Sequence, residues 1–313
     1  MISASIYAIY PIIAHHKRII LSRNTIERIF QSTDFNQAMA ILNEHLAPFL
    51  KGDLIQADTP RRIEIYMAQQ IEQFIRILSR FSFGSMASFR MIMNLYLDLG
   101  RVLKQVRSYY KNRAESIDKK SIPGIFHETL TILEKKHQEL PIIFYESQLI
   151  QCYIDEALRL LEVIDADDRS FMLLQSWIDH HNLIIINNLS SVYKLSGEEI
   201  KTYLIHKGTP AIITHVRELM DGTCPDKLKH HQMATVFDIH QPQLNELKIK
   251  SIFYAEILRA IGGTPFRYSY CLAFFLLLQL ESENIRLIFN GHYHRVETNI
   301  LRDMVIAYPH HRE

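Results

Sequence analysis

Apolar residues return at every third or fourth position along most of this chain. Phe89, Ile92, Tyr96, Leu99, Leu103, Val106 and Tyr110 step by three and four without interruption, which places all seven on one stripe of a helix. Ile71, Phe74, Ile75 and Leu78 do the same one helix earlier. Leu149, Cys152, Leu160, Leu161 and Ile164 form a less regular stripe, and Ile249, Ile252, Phe253, Ile257 and Ile261 form a fourth. Tyr270 to Leu278 is the longest apolar run. It falls far short of the roughly 20 residues that cross a bilayer and reads as a buried helix. Leu183 to Ile186 is the best β-branched run, yet Trp177, Ile178 and the flanking polar residues suit a helix better. The expected fold class is all-α.

Breaks in the pattern are few. Pro48 to Pro60 reads as a loop, and Arg113 to Gly124 as a charged linker ending in Pro123-Gly124. Gly208 to Pro210 is expected to end a helix. Asp221 to Pro242 holds Gly222 and Pro225 with little periodicity. These breaks divide the chain into three helical blocks, 1–116, 117–222 and 223–313.

The blocks carry a repeated motif. Asp179-His-His-Asn182-Leu183 follows a helix containing Tyr153, and Glu281-Ser-Glu-Asn284-Ile285 follows a helix containing Tyr254. Tyr153 precedes Asn182 by 29 residues and Tyr254 precedes Asn284 by 30. The first block offers a degraded copy, Asp98-Leu-Gly-Arg101-Val102, with Arg in place of Asn. Downstream, Ser196-Gly-Glu-Glu-Ile200 and Val296-Glu-Thr-Asn-Ile300 each open a short helix, the former with a capping-box pattern. Asp98, Arg101, Asp179, Asn182, Glu281 and Asn284 are therefore the candidate site residues. Acid and Asn suit a structural role, bonding a helix end or a neighbouring helix inside a bundle. An unpaired buried polar group there costs ~1–3 kcal/mol. Direct contact with a partner is the competing reading.

Composition narrows the function. Hydrophobic residues make up 48% and charged residues 22%, the balance of a folded protein rather than a disordered one. Thirty-five basic against 34 acidic side chains leave a formal charge of +1, unlike the basic domain of a nucleic-acid binder. Cys152, Cys224 and Cys271 form no disulfide framework and point to a reducing compartment. Lys17 and Arg18 follow the apolar N-terminal stretch instead of preceding it, which does not fit a signal peptide. The chain is expected in the cytoplasm.

Motifs for bond chemistry are missing. The sequence contains no P-loop, no Gly-x-Gly-x-x-Gly after a strand and no Gly-x-Ser-x-Gly. His127-Glu128 is followed by Thr131, so His-Glu-x-x-His fails. Sixteen histidines invite a metal reading on His180-His181, His230-His231, His292 with His294 and Glu297, and His310-His311. Adjacent residues on a helix point to different faces and chelate poorly. A metal-dependent hydrolase would need Asp179, His180, His181, His292 and His294 to converge. Three imperfect helical copies also fit an adaptor built from helical repeats. No cofactor is expected. The basic pairs Arg61-Arg62 and Lys119-Lys120 and the triplet Lys227-Leu-Lys229 read as solvated faces.

Helical blocks carrying Asp/Glu-x-x-Asn-aliphatic resemble the connecting central-stalk subunit of V-type and A-type rotary ATPases, a family with bacterial, archaeal and eukaryotic members. Asp179-His-His-Asn182-Leu183 through Leu195-Ser196-Gly-Glu-Glu199-Ile200 resembles its middle block. Asn284 to Gly291 and Glu297-Thr-Asn-Ile300 resemble its C-terminal block, and Lys17 to Ser22 with Thr33-Asp-Phe-Asn-Gln-Ala38 its opening helices. The resemblance implies three helical domains in a funnel with approximate threefold symmetry. It implies a non-catalytic protein on the cytoplasmic face of the proteolipid ring. Central-shaft subunits and that ring would be its partners, and torque would pass through it. Arg101 and the stretch Gly291-His-Tyr-His294-Arg295 depart from the family pattern.

Overall fold

A computed structural model of the protein describes residues 10, 11, 13, 14, 17, 20–46, 59–80, 84–112, 117–136 and 140–305. Most of the loop expected over Pro48–Pro60, residues 113–116 of the expected linker, Arg18 and the His310-His311 pair lie outside the described residues. So does most of the N-terminal apolar stretch.

Among the described residues the fold is all-α. The early helices are α1 (Arg23–Phe30), α2 (Phe35–Leu46), α3 (Pro60–Ser79) and α4 (Ser85–Asn112). Next come α5 (His127–Lys136), α6 (Ile142–Val163) and α7 (Asp168–Ser191). Four short helices follow: α8 (Gly197–Lys201), α9 (Pro210–Thr214), α10 (Val216–Met220) and α11 (Gln232–Thr235). The chain then runs through α12 (Pro242–Ile261), α13 (Tyr268–Tyr293) and α14 (Thr298–Met304). The β-branched run Leu183–Ile186 lies inside α7, as its polar flanks require. Gly208 to Pro210 begins a helix instead of ending one. Pro210 occupies the first helical turn of α9, where its missing N–H costs nothing.

Two compact units divide the chain, and the division falls within α12. One unit joins Met1–Phe83 to Tyr254–Glu313; the other is Gly84–Phe253. In the first, α13 packs on α3, α2 and α14, and α1 packs on α2. Ile26, Ile29, Leu42, Ile63, Ile288 and Leu301 share its apolar core. Phe74 meets Phe274 edge to face at 5.2 Å, and Phe35 meets Phe289 at 5.9 Å. Tyr268 to Leu278 is buried at every position, as its all-round apolar pattern demands. At Gly291 an added Cβ would lie 2.0 Å from Leu301 Cδ2. Only glycine lets α14 pack this closely on α13.

In the second unit the longest helix, α4, packs along α6. Phe89, Ile92, Leu99 and Val106 are buried as the periodicity predicts, while Tyr96, Leu103 and Tyr110 are half-buried. Helix α7 is bordered by α6, α8, α9, α10 and α11.

Local chemistry sets the helix ends. Ser22 Oγ accepts the Thr25 N–H and caps α1. Asp34 accepts the Gln37 N–H while the Gln37 side chain accepts the Thr33 N–H, a reciprocal cap on α2. The expected capping box of α8 is present in full, with Ser196 Oγ accepting the Glu199 N–H and Glu199 accepting the Ser196 N–H. The hydrogen bonds from Ser196 hold the Glu199 carboxyl below its usual pKa. Helices α6 and α13 both end with a residue in the left-handed region, Asp165 at φ 51° and Arg295 at φ 57°. At these ends Ala166 N–H bonds Leu161 O, and Val296 N–H bonds Gly291 O. That is the wrap-around cap that glycine normally serves. Arg295→Gly is predicted to raise stability by roughly 0.5–1 kcal/mol, relieving a strained backbone at the cost of a freer unfolded chain. A chemical-denaturation midpoint at or below that of the wild type would count against this reading of the cap.

Candidate functional site

The second copy of the motif sits on α7 with both polar residues buried. Asn182 is fully enclosed and Asp179 is 2% exposed. The Asn182 amide takes over one residue of main chain: Oδ1 accepts the Ile205 N–H at 2.8 Å, and Nδ2 donates to Ile205 O at 2.9 Å. Ile205 is itself buried, so without Asn182 two peptide groups would lose their partners.

Asp179, one turn earlier, holds the same loop four residues on, at Thr209. Oδ1 accepts the Thr209 N–H at 2.7 Å, and Oδ2 accepts the Thr209 hydroxyl at 2.6 Å. Oδ2 also accepts His231 Nε2–H at 3.0 Å. The Ala234 N–H donates to His231 Nδ1 at 3.2 Å, so that nitrogen is unprotonated and Nε2 carries the proton. The imidazole is therefore a neutral donor. Three donors compensate a carboxylate that burial would otherwise penalise heavily. From α6, Gln151 accepts the His206 N–H at 2.7 Å. Ile205, His206 and Thr209 are thus all tied to helices. Between the last two, Lys207 adopts φ 77° and Gly208 lies against α7. A Cβ on Gly208 would stand 2.5 Å from Asp179 Oδ1 and 2.8 Å from Ile178 Cγ2.

A second amide clamp lies nearby in the same unit. Asn245, fully buried at the start of α12, accepts the Asp238 N–H at 2.8 Å and donates to Asp238 O at 2.8 Å. Its Nδ2 also reaches Asn187 Oδ1 on α7 at 2.8 Å, and Asn187 donates to Pro242 O at 3.1 Å.

The third copy is buried too. Glu281 and Asn284 are 1% and 2% exposed on α13, and Tyr254 donates its hydroxyl to Glu281 at 3.0 Å. Burial, followed by the Glu281 charge, pushes the Tyr254 phenol far above its ordinary pKa. Tyr153 plays a different part in the second copy. Its ring packs edge to face on Tyr96 and Trp177, each at 5.7 Å. The first copy is turned outward. Arg101 is exposed and pairs with half-buried Asp98 at 3.1 Å, an exchange within one helical turn. Burial raises the Asp98 carboxyl while Arg101 opposes the shift.

The histidines divide by environment. His181 Nδ1 donates to Trp177 O at 2.8 Å, and its ring lies 4.1 Å from the indole. His180 stacks on Phe253 at 5.5 Å, with its Nδ1 3.3 Å from His181 Nδ1. Burial is the main cause that holds the His181 pKa down to about 4, and it holds His180 well below the ordinary value. His292 is lowered by burial as well. Among the described residues no three His, Cys, Asp or Glu side chains come together in a way that could hold a metal ion. The convergence that a metal-dependent hydrolase would need is not found there. His231, one member of an adjacent pair, instead serves Asp179.

Sequence spacing singles out Asp179 and Asn182 but not Thr209, His231, Gln151 or Asn245. Gly208-Thr-Pro carries a usable signal, a glycine and a helix-opening proline around a hydroxyl. His231 and Asn245 carry none, because their partners are 52 and 7 residues away with no periodic relation.

These features define an all-α protein in which polar side chains on long helices hold their connecting loops in place. A family model described as ATP synthase (C/AC39) subunit matches residues 125–304, which spans the second and third motif copies. The chain belongs to this family, the C/AC39 subunits of V/A-type ATP synthases. No curated protein matches the chain. Among the described residues no helix is long and apolar enough to cross a membrane.

Gly208→Ala is predicted to destabilise the protein by about 1–3 kcal/mol through overpacking on Asp179 and Ile178. Asn182→Leu is predicted to cost about 2–4 kcal/mol, since it strands the Ile205 N–H and C=O. Equilibrium urea unfolding measures both, and an unchanged midpoint for Asn182→Leu would mean that the clamp contributes nothing to stability. The histidine pair predicts a pH effect. Its folded-state pKa values lie below the unfolded value, so the unfolded chain binds more protons. Stability is full above about pH 6.5 and falls as pH drops toward about 4, by up to about 3 kcal/mol for His181 alone. Trp177 is the sole tryptophan and reports the transition by fluorescence; His181→Phe should flatten the dependence between pH 7 and pH 5.

Proposed function

We propose that this chain is the rotor connector of a V/A-type rotary ATPase. It joins the central shaft to the proteolipid ring on the cytoplasmic face of the membrane and carries torque between ATP chemistry and ion transport. It makes and breaks no bonds itself, and it requires no cofactor. Its three blocks, 1–116, 117–222 and 223–313, are read as imperfect repeats of one helical domain arranged with approximate threefold symmetry. Family membership supports the assembly.

The observation that carries the mechanical reading is the pinned loop beside α7. A connector under torque must not let its loops yield before its partners turn. Asp179, Asn182 and Gln151 bond the main chain at Ile205, His206 and Thr209, and Gly208 closes the remaining gap. Shifting this loop would break the two buried bonds of Asn182 together with the part-buried bonds of Asp179, each worth about 0.5–1.5 kcal/mol net and more to Asp179. Glu281 with Tyr254 braces the third copy.

The test is a tagged pull-down of the full chain from gently solubilised native membranes, with partners identified by mass spectrometry. Proteolipid, shaft and catalytic ATPase subunits are expected together. A different stable complex would favour the helical-repeat adaptor, and a chain recovered alone would overturn the connector reading.

A further inference from the structure

Helix α4 carries a face that the repeat does not explain. Arg101, Lys104, Arg107 and Lys111 are all exposed. At about 100° per residue they fall within an arc of roughly 120°, spread along about 15 Å of helix. The buried residues Leu95, Leu99, Val102 and Val106 occupy the opposite side. Two of the four cations have carboxylate partners: Asp98 on the same helix and Glu146 on α6, the latter 2.6 Å from Arg107. Lys104 and Lys111 have no ion pair among the described residues. The whole chain carries only +1, while this face sets four cations against two carboxylates.

Gly100 lies within the same arc, exposed, in the middle of a 28-residue helix. A Cβ built on it meets nothing within 4 Å. No described neighbour requires a glycine, and glycine destabilises an exposed helix interior relative to alanine. A glycine retained against that cost, beside a row of cations, marks a place where another backbone comes close.

We propose that the face of α4 around Gly100, Lys104 and Lys111 is a docking surface for an acidic helix of a partner protein. The partner's backbone crosses at Gly100, and its carboxylates, repeating every three or four residues, meet the cation row. Charge complementarity and the matched helical spacing select this occupant over an apolar one. The proposal rests on the connector reading only for which assembly supplies the helix.

The test uses the full chain and two synthetic Glu/Ala helices of equal composition. One carries its glutamates as a stripe at three- and four-residue spacing; the other has them scattered around the helix. The striped helix is expected to bind about tenfold tighter than the scattered one, with affinity falling as salt rises. Lys104→Glu with Lys111→Glu is expected to weaken binding about tenfold at unchanged thermal stability. Gly100→Ala is the decisive variant: it should raise the melting temperature of the free protein and weaken striped-helix binding several-fold, with Gly100→Leu worse. Equal binding of both peptides, or Gly100→Ala binding like the wild type, overturns the proposal. Tighter binding to phosphatidylserine vesicles than to the striped helix also overturns it, in favour of a lipid-facing surface. In the native-membrane pull-down, the double Lys→Glu variant should lose ATPase subunits that the wild type retains. A wild type that retains none defeats the connector reading, while the peptide measurements still decide the surface.

Discussion

A side-chain amide that bonds both the N–H and the C=O of one loop residue is the interaction on which this architecture depends. Long helices must be joined by chain that has no ladder of its own, and buried peptide groups need partners. Asn182 supplies both partners for Ile205, and Asn245 supplies both for Asp238. An asparagine carries one acceptor and one two-proton donor on a short stem, which is the complement of a peptide unit. Aspartate in either place would set a carboxylate against a carbonyl, and leucine would satisfy neither group. The two clamps lie at opposite ends of the segment from Ile205 to Asn245, so the short helices and turns between them are fastened at both ends.

Asp179 adds a charge to this arrangement without an opposing charge to pair with it. Its stabilisation comes from a backbone N–H, a hydroxyl and a neutral imidazole. Such a site is directional and intolerant of displacement, because its donors are placed by two different pieces of chain: the loop at Thr209 and the segment entering α11. Buried His180 and half-buried His181, one and two residues on, have the opposite character. They are kept neutral by enclosure against Phe253 and Trp177. One turn of α7 thus holds an acid bonded by three donors beside imidazoles that burial keeps from charging.

Periodicity makes the helices legible, since each buries one apolar stripe and the stripe is written directly in residue spacing. Phe89 to Val106 and Ile71 to Leu78 are cases where the pattern and the burial coincide. The acid and asparagine positions are legible as a repeat because α7 and α13 lie in matching order behind a tyrosine-bearing helix. Their partners are not. Hydrogen bonds such as His231 to Asp179 link elements with no common period, and the two motif tyrosines serve different neighbours although their spacing is nearly the same. Pro210 reads as a terminator in the sequence and opens a helix in the fold, because proline is tolerated at the first turn of a helix as well as beyond its end. Arg101 looks like decay of the motif; its exposure shows that the first copy points its polar side to solvent.

The unit that joins Met1–Phe83 to Tyr254–Glu313 has an order-of-assembly consequence. Its core needs Ile29, Leu42 and Ile63 together with Ile288, Phe289 and Leu301, and Arg302 reaches back to Glu27 at 2.7 Å. On a ribosome the first helices emerge long before α13 and α14 exist. The intervening unit, Gly84–Phe253, has all of its own chain available earlier and can fold as a unit during synthesis. The opening helices must meanwhile wait with apolar surface uncovered. That delay leaves their apolar faces without their full set of partners until the last helices are made.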